Sequence, residues 1–198
     1  MRSDIYELES LESDFTAIPA EAEKVAVYNG LDKKSALRLR LLAEELICML
    51  PRLLIYGKGR FWIESRNNEF ELHLQVTPND ASAFDTEKVL AVSTSGRNAS
   101  AKGILGKIMA AFEQMVSSRE KMLETDPYGV WSTGLCDYDE RTIWSLKTYK
   151  NGFEDESMQK DHAEEWDELE KSVIANLADD VTVGVLNGKV DMVVRKKF

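Results

Sequence analysis

Between Gly59 and Val76 the chain reads GRFWIESRNNEFELHLQV, and this stretch narrows the available folds more than any other. Phe61, Ile63, Phe70, Leu72, Leu74 and Val76 take every second position on either side of Arg66-Asn67-Asn68. A period of two places them on one face of a pleated ribbon, so the segment predicts a β-hairpin whose apolar face must be covered. DDVTVGVLNGKVDMVVRKKF (179 to 198) predicts a second hairpin, turning at Asn187-Gly188, a strong short-range hairpin signal. Cover for the ribbons lies upstream. IPAEAEKVAVYNGL (18 to 31) predicts a short helix ended by Asn29 and Gly30. LDKKSALRLRLLAEELICMLPRLL (31 to 54) predicts a long one, with Pro51 near its end, where the ring kinks or stops the turn.

The middle of the chain is mixed. TPNDASAFD (77 to 85) reads as a loop, TEKVLAVS as a short helix, and SGRNASAKG (95 to 103) as a second loop of small and polar residues. That loop opens into a helix in which Ile104, Ile108, Ala111, Phe112, Met115 and Met122 keep helical spacing. Strand character is best in Thr142 to Tyr149, and NGFEDESMQKD (151 to 161) is a surface loop. DHAEEWDELEKSVIANLA (161 to 178) is an acidic amphipathic helix with Trp166, Leu169, Val173, Ile174 and Leu177 on one face. Helices come first, then hairpins and helices interleave without regular βαβ units. This order predicts an α+β fold, a two-layer sandwich whose mainly antiparallel, mixed sheet is covered on one face by helices. Residues 1 to 14 are an acidic segment expected to fray, and 15 to 198 one domain with an inserted segment at about 118 to 160.

A formal charge of -10 over 198 residues argues against a nucleic-acid grip or an anionic membrane surface, which both need a basic face. Cys48 and Cys136 sit in unrelated contexts, Cys48 reading as a small buried thiol, and no disulfide framework or metal-ligand spacing is present. MRSDIYELESLESDF has acids where a secretion signal has basic and apolar regions, and no apolar run reaches a membrane span, so the expected location is the cytoplasm.

In the long helix, Leu39, Leu42, Ala43, Leu46, Leu50 and Leu53 form one apolar face, while Leu37, Leu41 and Cys48 lie nearly opposite, predicting burial on two sides. Arg38, Glu45 and Arg52 fall seven residues apart on a polar stripe; Glu44 lies elsewhere, nearer Arg40. The stripe is either a solvated seam of weak ion pairs or a lining in which Glu45 faces a ligand cavity. Further along, Gly103 and Gly106 stand at the first turn of a helix, where free N–H groups and the dipole favour phosphate, with Arg97 and Lys102 able to add charge. A plain helix start is the simpler reading, and no Walker or Rossmann signature is present. His73 is explained by an outward position in the hairpin, and Trp62, Trp131, Trp144 and Trp166 by anchoring at the core or its edge. The terminal RKKF reads as a solubilising strand edge, and the acids from Glu154 to Glu170 as a solvated helix face.

A helix ending AEELICML, a hairpin ending ELHLQV, a loop ending SAFD, the glycine segment KGILGKIMAAFEQM and the closing hairpin VTVGVLNGKVDMVV follow one another in the order of the GHKL (Bergerat-fold) ATPases. The layout of residues 15 to 198 resembles the anti-sigma factor serine kinases, relatives of the ATPase domains of histidine kinases. The resemblance implies that Glu45 is the acid of the helix motif Glu-x-x-x-Asn, that Asp80 is the nearest acid to the adenine-recognising position, and that Lys102, Gly103 and Gly106 belong to the phosphate loop. Two departures stand out. Met49 occupies the position of the Mg²⁺-binding Asn, and taking Glu44 as the acid puts Cys48 there, neither being an oxygen donor for a hard cation. The glycines after the hairpin are missing as well.

Phosphoryl transfer depends on positioning and on metal charge, so the expectation is an ATP-binding regulatory protein with weak or no kinase activity, Mg²⁺ being doubtful. If active, it would be a serine kinase. The implied partner is a protein, a sigma factor or an anti-sigma antagonist, and a homodimer is compatible with this reading. The alternative is a non-catalytic protein interaction module on a degenerate GHKL fold, using the acidic helix or the inserted segment.

Overall fold

The ribbon expected at 59 to 76 forms strands β2 (Gly57–Arg66) and β3 (Glu69–Pro78). The structure is a computed structural model, and it describes residues 1–9, 15–54, 57–78, 106, 108, 141–153, 159–160, 163–186 and 189–198. At the hairpin turn Asn67 and Asn68 both adopt positive φ, 52° and 62°. That is the conformation a two-residue turn of matching twist requires, and Asn tolerates it better than other side chains. Asn187-Gly188, the second expected turn, lies outside the described residues, but its flanks pair as β5 (Asp180–Leu186) and β6 (Lys189–Lys197), with Leu186 opposite Lys189.

Six strands make one sheet in the order β1-β2-β3-β6-β5-β4, where β1 is Tyr6–Leu8 and β4 is Arg141–Ser145. Every ladder is antiparallel, so among the described residues the sheet is not mixed as expected. The two hairpins meet through β3 and β6, with Leu72 opposite Val194 and Leu74 opposite Met192. This makes the chain end central. RKKF does not finish an edge strand: Arg195, Lys196 and Lys197 pair with Glu71, Asp179 and Glu69. Of the acidic start expected to fray, residues 1–9 are described and lie against the sheet, while 10–14 are outside the described residues. Tyr6–Leu8 pairs with β2, and ahead of it the Ser3 amide donates to the Ile63 carbonyl at 2.8 Å.

Helices α1 (Ala17–Tyr28) and α2 (Lys33–Leu53) pack on each other and cover one face of the sheet. α1 ends at Asn29, where the Gly30 amide donates to Val27 and the Leu31 amide to Ala26. Gly30, at φ 77°, supplies the left-handed residue this stop needs. Asp32 caps α2 by accepting from the Ser35 amide at 2.7 Å. The helix continues through Pro51 to Leu53. From α2, Leu39, Leu42, Ala43, Leu46, Met49 and Leu50 meet Phe61, Ile63, Phe70, Leu72, Leu74 and Val76 of the first hairpin and Val181, Val183, Val190, Met192 and Val194 of the second. Each such large side chain contributes about 1.5 to 3 kcal/mol by leaving water.

Among the described residues the second apolar face expected on α2 is not buried: Leu37 is 54% exposed, Cys48 is exposed and Leu41 is half-buried, while Leu39, Leu42, Ala43, Leu46 and Leu50 are in the core.

The last third departs from the expected boundaries. The strand predicted to Tyr149 stops at Ser145, whose hydroxyl caps helix α3 (Leu146–Asn151) by accepting from the Thr148 amide. The acidic helix divides into α4 (Ala163–Lys171) and α5 (Val173–Leu177), because Ser172 leaves the helical conformation and caps the second piece through the Ala175 amide. Leu169 and Ile174 are buried and Trp166 and Leu177 pack at the core edge as expected, but Val173, just past the break, is turned out.

Candidate functional site

The neighbouring carboxylates of α2 have different fates. Glu44 accepts from Arg40 Nε at 2.9 Å, and Arg40 Nη1 reaches Glu23 of α1 at 2.9 Å, a half-exposed seam. Glu45 is half-buried and has no hydrogen-bond or ion-pair partner among the described residues. Burial, and secondarily the charge of Glu44, pushes its carboxyl above the usual range. Of the expected stripe, Arg38 makes no ion pair with Glu45, and the side chain of Arg52 lies outside the described residues; the described seam runs through Arg40.

One turn on, Met49 is buried in the apolar core and Cys48 is exposed. A thioether held among Leu46, Leu50 and the sheet offers no oxygen to Mg²⁺, so the residues here do not fit a hard cation.

Of the glycine segment, Gly106 is helical and half-buried, and Ile108 belongs to the same core as Leu42 and Leu46. That core is one-sided: Trp62 and Val193, buried on the opposite face of the sheet, are not part of it. Ile108 thus joins the apolar layer to which α2, the helix of Glu45, contributes. Asp80, Lys102 and Gly103 lie outside the described residues, as do the segments 77 to 105 around them apart from the end of β3.

The second face of the sheet carries a cluster with no counterpart in the sequence reading. Trp62, His73, Val193 and Thr182 are successive cross-strand neighbours over β2, β3, β6 and β5. The His73 ring stacks on Trp62 with centroids 4.7 Å apart and planes within 4°. Its Nε2 is 3.5 Å from Glu71 Oε2 and its Nδ1 3.9 Å from Asp191 Oδ2. Both ring nitrogens, and Asp191 Oδ1, are buried without a hydrogen bond. Glu64 stands directly across from Glu71. Two facing carboxylates repel, and each is answered by a donor: Trp62 Nε1 donates to Glu64 Oε1 at 3.0 Å, and Arg195 Nε to Glu71 Oε1 at 2.8 Å. Arg2 lies over the Trp62 ring at 4.8 Å and 3.7 Å from Glu64. Donor atoms of Glu64, Glu71 and His73 all fall within 4.8 Å of one another, a spacing open to a metal ion. His73 does point away from the helices, as expected, but its side chain is only 14% exposed. The signal available in the sequence was Glu71-x-His73 on the polar side of a strand, opposite Glu64 across a short turn.

Among the tryptophans, Trp144 and Trp166 pack at the core edge and Trp62 anchors the second face; Trp131 is outside the described residues. No helix among the described residues is long and apolar enough to cross a membrane. Compared with known proteins, the chain matches no family model, and no curated protein matches it.

Proposed function

We propose that this protein is a nucleotide-binding regulator of the anti-sigma type, built on a GHKL-like sandwich, that binds ATP and signals occupancy to a protein partner. The observation that carries this reading is Glu45, a partly desolvated carboxylate with no protein partner among the described residues. Its helix, α2, contributes to the apolar layer that Ile108, just beyond the glycine segment, joins. A buried charge left alone is costly, and sites that meet ligands are where such groups collect. Met49 argues for binding over catalysis, since the core thioether leaves this position without a ligand for the metal that phosphoryl transfer relies on.

Calorimetric titration of ATP with and without Mg²⁺ tests the reading. The expected result is binding that changes little when Mg²⁺ is withheld and weakens in Glu45→Ala, with far-UV circular dichroism unchanged. No heat at about 1 mM ATP, a ceiling that corresponds to about 4 kcal/mol of binding, removes it. A second reading, a non-catalytic interaction module, draws on the outer surface of the helix pair, where Val27, Tyr28 and Leu37 are 64%, 79% and 54% exposed. In that case partner capture is lost on changing these side chains and is indifferent to ATP.

A further inference from the structure

We propose that Glu64, Glu71 and His73 form a binding site for a transition-metal ion of the zinc type, on the sheet face opposite Glu45. The three residues come from adjacent strands and point the same way, since Glu64 faces Glu71 across the β2–β3 ladder and His73 follows Glu71 by two positions. Their donor atoms lie within 4.8 Å of one another. Two donors sharing a tetrahedral zinc at about 2.1 Å stand about 3.4 Å apart. Glu71 Oε2 and His73 Nε2 are already 3.5 Å apart. One imidazole and two carboxylates are a donor set that zinc accepts, and three protein ligands leave a fourth position open.

The groups behind the ligands strengthen the assignment. A neutral imidazole carries one N–H and one lone pair, and neither ring nitrogen of His73 has a hydrogen bond although both are buried. A metal at Nε2 uses the lone pair, and the N–H at Nδ1 then faces Asp191, 3.9 Å away, whose buried Oδ1 is likewise unpartnered. A carboxylate behind a ligating histidine fixes its tautomer and orientation. The two glutamates are held in the same manner. Trp62 Nε1 engages Glu64 Oε1 and Arg195 engages Glu71 Oε1, which leaves the second oxygen of each free for a cation. Trp62 stacked on His73 keeps the ring from turning away. Three carboxylates, counting Asp191, face the two guanidinium groups of Arg2 and Arg195, so the cluster retains negative charge.

The test is calorimetric titration of Zn²⁺ into the full chain at neutral pH, beside Glu64→Gln, His73→Gln and Asp191→Asn, each checked by circular dichroism. The expected result is one Zn²⁺ per chain in the wild type, binding lost in Glu64→Gln and His73→Gln, and a weakening of about tenfold in Asp191→Asn. Glu64 is 45% exposed, so its variant keeps the test decisive should His73→Gln fail to fold. Absence of Zn²⁺ binding in the wild type overturns the proposal. So does undiminished binding in Glu64→Gln, the outcome expected if the ion is held by a thiolate such as exposed Cys48. ATP binding enters none of these outcomes, so the two proposals stand or fall separately.

Discussion

The imidazole of His73 lies flat against the indole of Trp62, planes within 4° of parallel, although the two belong to different strands, on the sheet face turned away from α1 and α2. Trp62 is 8% exposed, with Arg2 over its ring and its Nε1 donating to Glu64. Trp62→Phe keeps the stack and loses the hydrogen bond to a half-exposed carboxylate, an expected cost of about 1 kcal/mol. Trp62→Ala removes the stack as well and should cost about 3 kcal/mol or more. Urea unfolding of both variants measures the difference; equal losses would show that the ring contributes nothing beyond its N–H.

Glu45 gives a pH dependence with a defined sign. Its native carboxyl titrates above the ordinary value of 4.5 because burial penalises the anion. The native state therefore holds this proton more tightly than the unfolded chain, and the contribution is complete below 4.5 and is lost as pH rises through the elevated native value. Glu45→Gln should raise Tm at neutral pH, with the gain over wild type vanishing on acidification below 4.5. Calorimetric melts across that range check it; a variant less stable than wild type at neutral pH contradicts the assignment of an unpartnered carboxylate.

Gly59 is where β1 and the end of α2 close on β2. A Cβ there would stand 3.1 Å from Leu54 Cδ2 and 3.2 Å from Leu8 Cβ, and the Leu8 atom is fixed to its backbone. Gly59→Ala should cost about 1 to 3 kcal/mol by overpacking. Hydrogen exchange should show the loss concentrated in β1, with faster exchange at Leu8 than in β3.

Asp180 ties the start of β5 to the turn between β4 and α3. Its Oδ1 accepts from Ser145 Oγ at 3.0 Å, the Lys147 amide at 3.0 Å and the Val181 amide at 2.8 Å. Asp180→Ala should cost about 2 kcal/mol, the range for hydrogen bonds to a charged acceptor. Asp180→Asn, which keeps one oxygen, should lose less. Chemical denaturation with both variants decides whether charge or geometry matters.

Short-range pattern determined a good part of this protein. Alternation from Phe61 to Val76 marked a hairpin and its inward face, and helical spacing of Leu39, Leu42, Leu46 and Leu50 marked the surface that covers it. Both follow from fixed backbone periods of 2 and 3.6, which neighbouring residues carry by themselves. Breaks were harder to see. Ser145 and Ser172 stop one element and cap the next through single side-chain hydrogen bonds, too local to disturb an apolar pattern. Only the tertiary structure decided that β6 lies beside β3, that β1 joins β2, and that Leu37 and Cys48 of α2 stay exposed. The same pairing brings Asp191 to His73 and sets Arg195 against Glu71. Which residues face each other across a sheet depends on strand order and register, fixed by how the whole apolar surface is buried, and no local stretch of sequence contains that information.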